Sequence, residues 1–245
     1  MGHAPTSVTL KEAIAAKQDS IEHLSGFLEA LQPESSLATP KSFSQLLQDA
    51  DLSKMPALVE EIKAQNVWNC PTVVVTGLPR TDAVWLDEKS FVPSTLMERY
   101  AKMYPARASG TDPGRAERAR ATDIVIVAAL HRGGARMLLG TDAPKPGTLP
   151  GFSLHEELEN FVAAGMTPFE AIRAGTADAA IFLHQENEFV VIAVGRRADL
   201  LLLNANPLSD VRNISKRVGV TANGRWFTEE QLKQQLDDLR SSYQH

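Results

Sequence analysis

The stretch "RMLLGTDAPKPG", residues 136–147, places a short apolar run directly before the turn Gly140-Thr141-Asp142. The segments on both sides of it have helical periodicity. A short apolar run between two helices is typical of a buried parallel strand, whose last residues lie at one edge of the sheet. We therefore expect Asp142 at the carboxyl end of a strand, although a helix N-terminus or an ordinary turn accounts equally well for a lone aspartate.

Three earlier segments have the same form, an apolar stretch that is followed by a helical one. Met1-Gly2 ends at His3, "DSIEH" ends at His23, and the β-branched run "VWNCPTVVV" covers 67–75. Helical patterns at 9–18, 42–65 and 118–134 separate these strand candidates. Alternating strands and helices, with polar residues at the strand ends, are typical of an α/β fold of the (β/α) barrel type, which carries its reactive groups on that face.

Helix signals follow Asp142 closely along the chain. Ser153-x-x-Glu156 and Thr167-Pro168-x-Glu170 both match the capping box that starts a helix, and a third helix is expected over 176–184. Short strands with Gly and Asn-Pro turns are expected from about 188, before a polar helix at the end of the chain. We predict a partial hydrolase barrel over 1–187, a small β-sandwich portion over 188–228 and a C-terminal helix over 229–245.

Composition excludes several classes of partner. The formal net charge of −5 leaves no basic stripe for nucleic acid. No apolar run approaches the roughly 20 residues that span a bilayer. One cysteine, Cys70, excludes an intramolecular disulfide and a cysteine-rich zinc site. We therefore expect a small-molecule partner, neither nucleic acid nor membrane, and the sequence indicates no localisation.

His3, His23 and Asp142 form a candidate metal-binding set. Imidazole nitrogens and a carboxylate oxygen suit zinc or a similar divalent ion. In the alternative interpretation, His3 is an unstructured terminal residue and His23 is a hydrogen-bonded histidine of the core.

Five segments together resemble the amidohydrolase superfamily, and within it the imidazolonepropionase-like proteins and the Xaa-Pro or Xaa-Arg dipeptidases. They are "GHAP" (2–5), "DSIEHLSGF" (19–27), "LLGTDAP" (138–144), "GFSLHEELENFVAAGMTPFEAIRAGTADAA" (151–180) and "VGRRADLLLLNANPLSDVRN" (194–213). The resemblance implies that His3 and His23 are the metal-binding histidines of barrel strands five and six. It implies that Asp142 is the strand-eight aspartate, which contacts a metal and accepts the proton of the attacking water. One or two divalent ions, zinc first among them, and a small amide or dipeptide substrate are implied in the same way.

The chain lacks part of the family pattern, which in the two-metal members also includes a carboxylated lysine on strand four. The family begins with His-x-His on its first strand, and no His-x-His occurs in this sequence. Four strand candidates before residue 150 do not close a barrel that needs eight. We therefore expect the C-terminal part of a (β/α)8 TIM barrel, about four βα units, with a small β-sandwich appendage.

Two functional hypotheses follow from this incomplete pattern. In the first, the chain is an incomplete part of a metal-dependent hydrolase that acts on C–N bonds of small molecules. In the second, it is a catalytically inactive half-barrel that works as an assembly or binding partner, as a homo-oligomer or with a partner chain that covers its exposed strand edges.

Overall fold

A parallel sheet lies at the centre of the larger part of the molecule. The structure is a computed structural model and describes residues 2–5, 7–33, 41–76, 87–103, 113–145 and 147–243. Its first sheet has the order β1-β2-β3, with β1 at Ser20–Glu22, β2 at Trp68–Cys70 and β3 at Arg136–Met137. Both pairings are parallel, and Gly2 adds a parallel bridge to Ile21 of β1. The strands therefore lie side by side in chain order.

Helices lie between successive strands, as the sequence predicts for an α/β fold. Numbered along the described residues, they are α1 Leu10–Ala15, α2 Phe27–Ala30, α3 Phe43–Gln48, α4 Met55–Ala64, α5 Ser94–Met103, α6 Pro113–Arg132, α7 Phe152–Ala163, α8 Pro168–Ala174, α9 Ala177–Phe182 and α10 Glu229–Ser242. Ile62 of α4, Ile126 of α6 and Phe161 of α7 are fully buried in one cluster with Ile21 of β1. Burial of these side chains holds the helices against the sheet.

The predicted strand over 67–75 is wrong in its second half. Strand β2 ends at Cys70, and Val73–Val75 form a short 3₁₀ helix. Pro71 has no N–H to donate to a neighbouring strand, so the ladder does not continue through it. The chain turns away from the sheet at this point, and Thr72 lies at the turn. The predicted strand that ends at His3 is reduced to the single bridge at Gly2.

The two predicted capping boxes have different outcomes. Thr167 caps α8 with Glu170 as predicted, and both reciprocal hydrogen bonds are present. The box at Ser153 is wrong, because α7 already begins at Phe152 and its N-cap is Gly151. The Ser153 hydroxyl instead accepts a hydrogen bond from the Leu149 N–H at 2.8 Å. The Ser153 side chain thus bonds the backbone just before the helix.

A second, antiparallel sheet follows the helices, in the order β4-β5-β6. Its strands are β4 Leu200–Leu203, β5 Arg217–Ala222 and β6 Arg225–Thr228. Asn223 and Gly224 connect β5 to β6 with φ of 49° and 76°, the conformation that a two-residue hairpin turn requires. The expectation of strand over 188–199 is wrong before Leu200. The described residues hold one sheet here, so the sandwich stays a prediction.

The helices in the described ranges are too short or too polar to cross a membrane.

Candidate active site

The carboxyl ends of the parallel strands bring together His23, Thr72 and Asp142. His23 directly follows β1, and its N–H donates to the Cys70 carbonyl at the end of β2, at 2.9 Å. Its ring Nδ1 lies 2.7 Å from Thr72 Oγ1, which places the ring by a side-chain hydrogen bond. On the other side of the ring, Nε2 lies 3.5 Å from Asp142 Oδ2. The expected convergence of His23 and Asp142 is therefore present.

All three residues have left-handed backbone conformations. The φ angles are 61° at His23, 50° at Thr72 and 51° at Asp142. Residues with a Cβ atom adopt this region infrequently and at a cost in conformational energy, most of all a β-branched residue such as threonine. Conformations of this kind cluster at functional sites, where the surrounding structure holds them in place. Three of the nine non-glycine residues with positive φ in the described part of the chain thus lie at this edge of the sheet.

His3 completes the group that the sequence predicts. Its ring contacts the His23 ring edge to face, with 4.6 Å between the ring centroids. The His3 side chain is exposed, and the next residue is fixed by a 2.8 Å hydrogen bond from the Ala4 N–H to Ser25 Oγ. Within the described residues, no three His, Cys, Asp or Glu side chains are arranged so that they hold a metal ion. The ligand roles of His3, His23 and Asp142 stay predictions.

Lys145 is a member of this site that the sequence analysis missed. Its ammonium group forms a close ion pair with Asp142 Oδ2, the oxygen that faces His23. That oxygen is buried and receives no hydrogen bond of regular geometry. Lys145 therefore supplies the positive charge beside Asp142 in this structure. Nothing in the spacing marks it, since a lysine three residues after an aspartate in a loop is common on protein surfaces.

The surroundings of His23 favour the neutral form of its ring. Burial lowers the pKa of His23 below its ordinary value, and the charges of His3 and Lys145 act in the same direction. The nearby Asp142 carboxylate opposes this shift of the pKa but does not reverse it. The short distance from Nδ1 to Thr72 Oγ1 is compatible with either neutral tautomer, since the hydroxyl can accept or donate; in the tautomer that donates from Nδ1, the lone pair of Nε2 is free on the side of Asp142. This is the form in which an imidazole binds a metal.

The residue types of this group suit a divalent cation, although the described side chains are not arranged to hold one in this structure. Two imidazoles and one carboxylate are ligands that zinc accepts, and the ring nitrogen away from the site already has a hydrogen-bond partner. The buried Asp142 oxygen has a cation beside it in the form of the Lys145 ammonium. A metal ion at this position requires Lys145 to move aside.

A fully buried carboxyl group, Glu157, and a partly buried one, Asp123, contact the turn that follows β2. Glu157 of α7 is fully buried, and burial raises its pKa to about 7. Its two oxygens accept the N–H groups of Val73 and Val74 at 2.8 and 2.7 Å. Asp123 of α6 accepts the Thr76 hydroxyl at 2.6 Å, and burial raises its pKa to about 6. Both groups therefore bind the turn that follows β2.

Glu157 was also missed, although the sequence contains a signal for it. It lies one helical turn before Phe161 and next to Leu158, on the face of α7 that packs into the core. A carboxyl group at such a position requires hydrogen-bond partners within the protein. That signal predicts a buried polar network, but it does not predict which backbone groups form it.

Cys70 is a packing residue of this region. Burial raises the pKa of its thiol, and the neighbouring Glu22 carboxylate adds to the shift. The thiol therefore stays protonated, which does not suit a nucleophile or a metal ligand. The Cys70 sulfur atom occupies the space that a Cβ at residue 140 would need. Because Gly140 has no side chain, β2 and the turn at Gly140 can approach closely.

Comparisons with known proteins agree with this architecture. Bottromycin amidohydrolase is 26% identical with a TM-score of 0.69, and the match covers 99% of this chain and 52% of that one. A Xaa-Pro dipeptidase with bound methionine in its active site is 21% identical with a TM-score of 0.54, covering 89% of this chain and 42% of that one. An A. niger ochratoxinase is 21% identical with a TM-score of 0.52, covering 89% and 38%.

The chain spans about half the length, or less, of these solved structures. No curated protein matches the sequence significantly. The sequence profile of the amidohydrolase family matches residues 1–227, which is most of the chain. With the hydrolases among its structural neighbours, this match identifies the chain as a member of the amidohydrolase family.

Proposed function

We propose that the chain forms the C-terminal half of a (β/α)8 barrel hydrolase that cleaves C–N bonds of small molecules. Three parallel strands and the Gly2 bridge lie in chain order with helices between them, which supports a run of consecutive barrel strands. The share of the structural neighbours that the chain covers, 52% of bottromycin amidohydrolase, agrees with half a barrel. The substrate class is a small amide, a dipeptide or a cyclic amide.

We further propose that His3, His23 and Asp142 hold a divalent cation, with zinc as the first choice. When bound, such an ion polarises a carbonyl group and lowers the pKa of water. The observation that carries the proposal is the convergence of two histidines and an aspartate from three places in the chain at one sheet edge. Two further observations support the proposal: the lowered pKa of His23 favours the neutral ring that a metal ligand requires, and a buried oxygen of Asp142 faces that ring.

The chain's own residues then have distinct tasks. Asp142 accepts a proton from the attacking water and returns it to the amine that leaves, which is general base and then general acid catalysis. Thr72 holds the His23 ring through Nδ1, so that Nε2 keeps its direction. Lys145, once released from Asp142, is a cation at the edge of the site and is suited to a carboxylate of the substrate.

The hydrolase proposal is tested by completing the barrel. The second polypeptide is the remaining part of bottromycin amidohydrolase, which this chain does not match. The two are mixed with zinc and with a panel of dipeptides and cyclic amides. We expect a one-to-one complex that hydrolyses at least one panel member. Asp142→Asn is expected to abolish turnover, and His184→Ala, a substitution of an exposed histidine, is expected to leave it unchanged.

Two outcomes contradict the proposal. A zinc-loaded complex that leaves every amide intact argues against the hydrolase function. Turnover by the 245-residue chain alone, abolished by Asp142→Asn, argues against the half-barrel assignment, because we expect the chain alone to hydrolyse no dipeptide.

The second candidate function is a catalytically inactive half-barrel that works as an assembly or binding partner. Exposed apolar side chains favour it, since Leu200, Leu201 and Leu202 of β4 and Trp226 of β6 are all accessible to solvent. A second copy or another chain that covers this sheet would bury them. Analytical ultracentrifugation detects such a complex, and zinc-binding and turnover assays of the same sample distinguish the two functions. A stable complex that binds no zinc and shows no turnover supports assembly alone.

A further inference from the structure

The buried Glu157 carboxylate bonds the backbone at the start of the 3₁₀ helix that follows Thr72. Each of its oxygens accepts one N–H group, from Val73 and from Val74. These donors are consecutive residues at the start of Val73–Val75, where the N–H groups of a helix have no partner within the helix. One carboxylate of α7 thus fixes the direction of two successive peptide groups.

The same carboxylate is held from its other side by a polar network within α7 and α6. Asn160 donates its side-chain amide to Glu157 Oε2 at 3.0 Å. The Asn160 oxygen in turn accepts a hydrogen bond from the Arg120 guanidinium. Glu157 and Asn160 are both fully buried, so water does not compete for these bonds. The position of the carboxylate is therefore set by the core of the protein.

The geometry transmits this position to the candidate site through one residue. Thr72 directly precedes Val73, is almost fully buried and has φ of 50° and ψ of 47°. Left-handed backbone is costly for a β-branched residue and persists only where neighbouring contacts impose it. The Thr72 hydroxyl reaches His23 Nδ1 from this conformation. If Glu157 no longer held the N–H groups of Val73 and Val74, Thr72 could leave the left-handed region, and its hydroxyl would lose the hydrogen bond to His23 Nδ1.

We propose that Glu157 is a positioning residue for His23, which it orients through the Val73–Val74 backbone and the Thr72 hydroxyl. The inference rests on the proposed function, because it gives the His23 ring a task. Glu157 itself contacts neither His23 nor Asp142 in the described hydrogen bonds and ion pairs. Its effect on the site is indirect, and a test has to read the ring of His23 rather than stability alone.

The test compares the ring of His23 in matched variants of the metal-free chain at pH 8. Two-bond ¹H–¹⁵N spectra report the tautomer and hydrogen bonding of each imidazole, and loss of one signal set in His23→Ala assigns the ring. Glu157→Gln removes one acceptor at nearly constant shape, and Thr72→Val removes the hydroxyl. Thr72→Ser keeps the hydroxyl, and Phe161→Leu perturbs the same helix one turn away.

We expect the His23 ring nitrogen shifts to change in the same direction in Glu157→Gln and Thr72→Val. Thr72→Ser and Phe161→Leu are expected to keep the wild-type shifts. A wild-type ring spectrum in Glu157→Gln overturns the proposal, as does an equal change in Phe161→Leu. If Glu157→Gln does not fold, Asn160→Ser loosens the same carboxylate and is expected to give a smaller change of the same sign. No change in that variant also overturns the proposal.

Zinc affinity of the same variants separates this inference from the proposed function. We expect the dissociation constant to rise about 10- to 100-fold in Glu157→Gln and in Thr72→Val, the effect typical of residues that orient a metal ligand. A wild-type chain that binds no zinc contradicts the proposed function, while the ring spectra still decide whether Glu157 positions His23. Tight zinc binding with an unchanged ring in Glu157→Gln contradicts the positioning role alone.

Discussion

Glu157 is expected to make the chain less stable as the pH rises from about 4.5 to about 7. The carboxyl group is fully buried, and burial raises its pKa from 4.5 to about 7 against the opposing effect of its three hydrogen bonds. A group that binds its proton more tightly in the folded state favours folding at low pH. Its contribution is fully present below pH 4.5 and is lost as the pH rises through the folded pKa.

The magnitude follows from the size of the shift. One pKa unit corresponds to about 1.36 kcal/mol, so the shift from 4.5 to about 7 gives on the order of 3 kcal/mol in the free energy of unfolding. Asp123, whose pKa burial raises from 3.8 to about 6, contributes with the same sign in a lower pH range. Exposed carboxylates of the chain titrate as well, so the prediction concerns the difference between matched variants.

The assay is urea unfolding of the wild type, Glu157→Gln and the exposed control Glu159→Gln between pH 4.5 and 8. We expect the stability of the wild type relative to Glu157→Gln to fall by about 2 to 3 kcal/mol across this range, because glutamine does not titrate. The difference in free energy of unfolding between Glu159→Gln and the wild type is expected to change little across the same pH range. If the advantage of the wild type grows with pH, the amide donors of Val73 and Val74 outweigh burial, and the reasoning is refuted.

Three further predictions concern packing, capping and charge. Gly140→Ala places a Cβ against Cys70 Sγ, and we expect it to lower the free energy of unfolding by about 1 to 3 kcal/mol in urea unfolding. Adding Cys70→Ala to the same chain is expected to restore part of this stability. If it does not, the contact between the two residues is not the cause of the loss. Thr167→Ala removes the hydroxyl that accepts the Glu170 N–H in the α8 capping box and leaves the bond from the Thr167 N–H to the Glu170 side chain in place. We expect this substitution to cost about 1 kcal/mol in the same assay, and no change would mean that the hydroxyl does not contribute. Lys145→Gln removes the ammonium group that pairs with Asp142 and that would repel a cation bound there. We expect titration calorimetry to show zinc binding at least severalfold tighter in this variant. Weaker binding would mean that Lys145 supports the metal site.

The sequence predicts the parts of the site that lie on the strands themselves. His23 and Asp142 follow short apolar runs, and parallel strands in chain order necessarily place their carboxyl ends at one edge. The convergence of these two residues therefore follows from the strand pattern. The family resemblance adds their proposed roles, together with that of His3, which a single bridge at Gly2 attaches to the sheet.

The sequence does not predict the residues that support these side chains. The β-branched run predicts a strand through Thr72, although Pro71 indicates that the ladder ends before it. Glu157 lies far along the chain from Val73, and such a contact depends on how α7 packs against the sheet rather than on any local pattern. Ser153 shows the same limit, since its hydroxyl bonds backward to Leu149 instead of capping the helix. Long-range packing decides the Glu157 contact, whereas the end of β2 at Pro71 and the bond between Leu149 and Ser153 are local features.

The most direct test of the central claim is the metal content of the purified chain after dialysis against zinc and then against metal-free buffer. We predict close to one zinc per chain in the wild type and in the exposed-histidine control His184→Ala, and loss of the metal in His23→Ala and Asp142→Asn. Retention of zinc in His23→Ala, or absence of zinc from the wild type, contradicts the assignment of His3, His23 and Asp142 as a metal site.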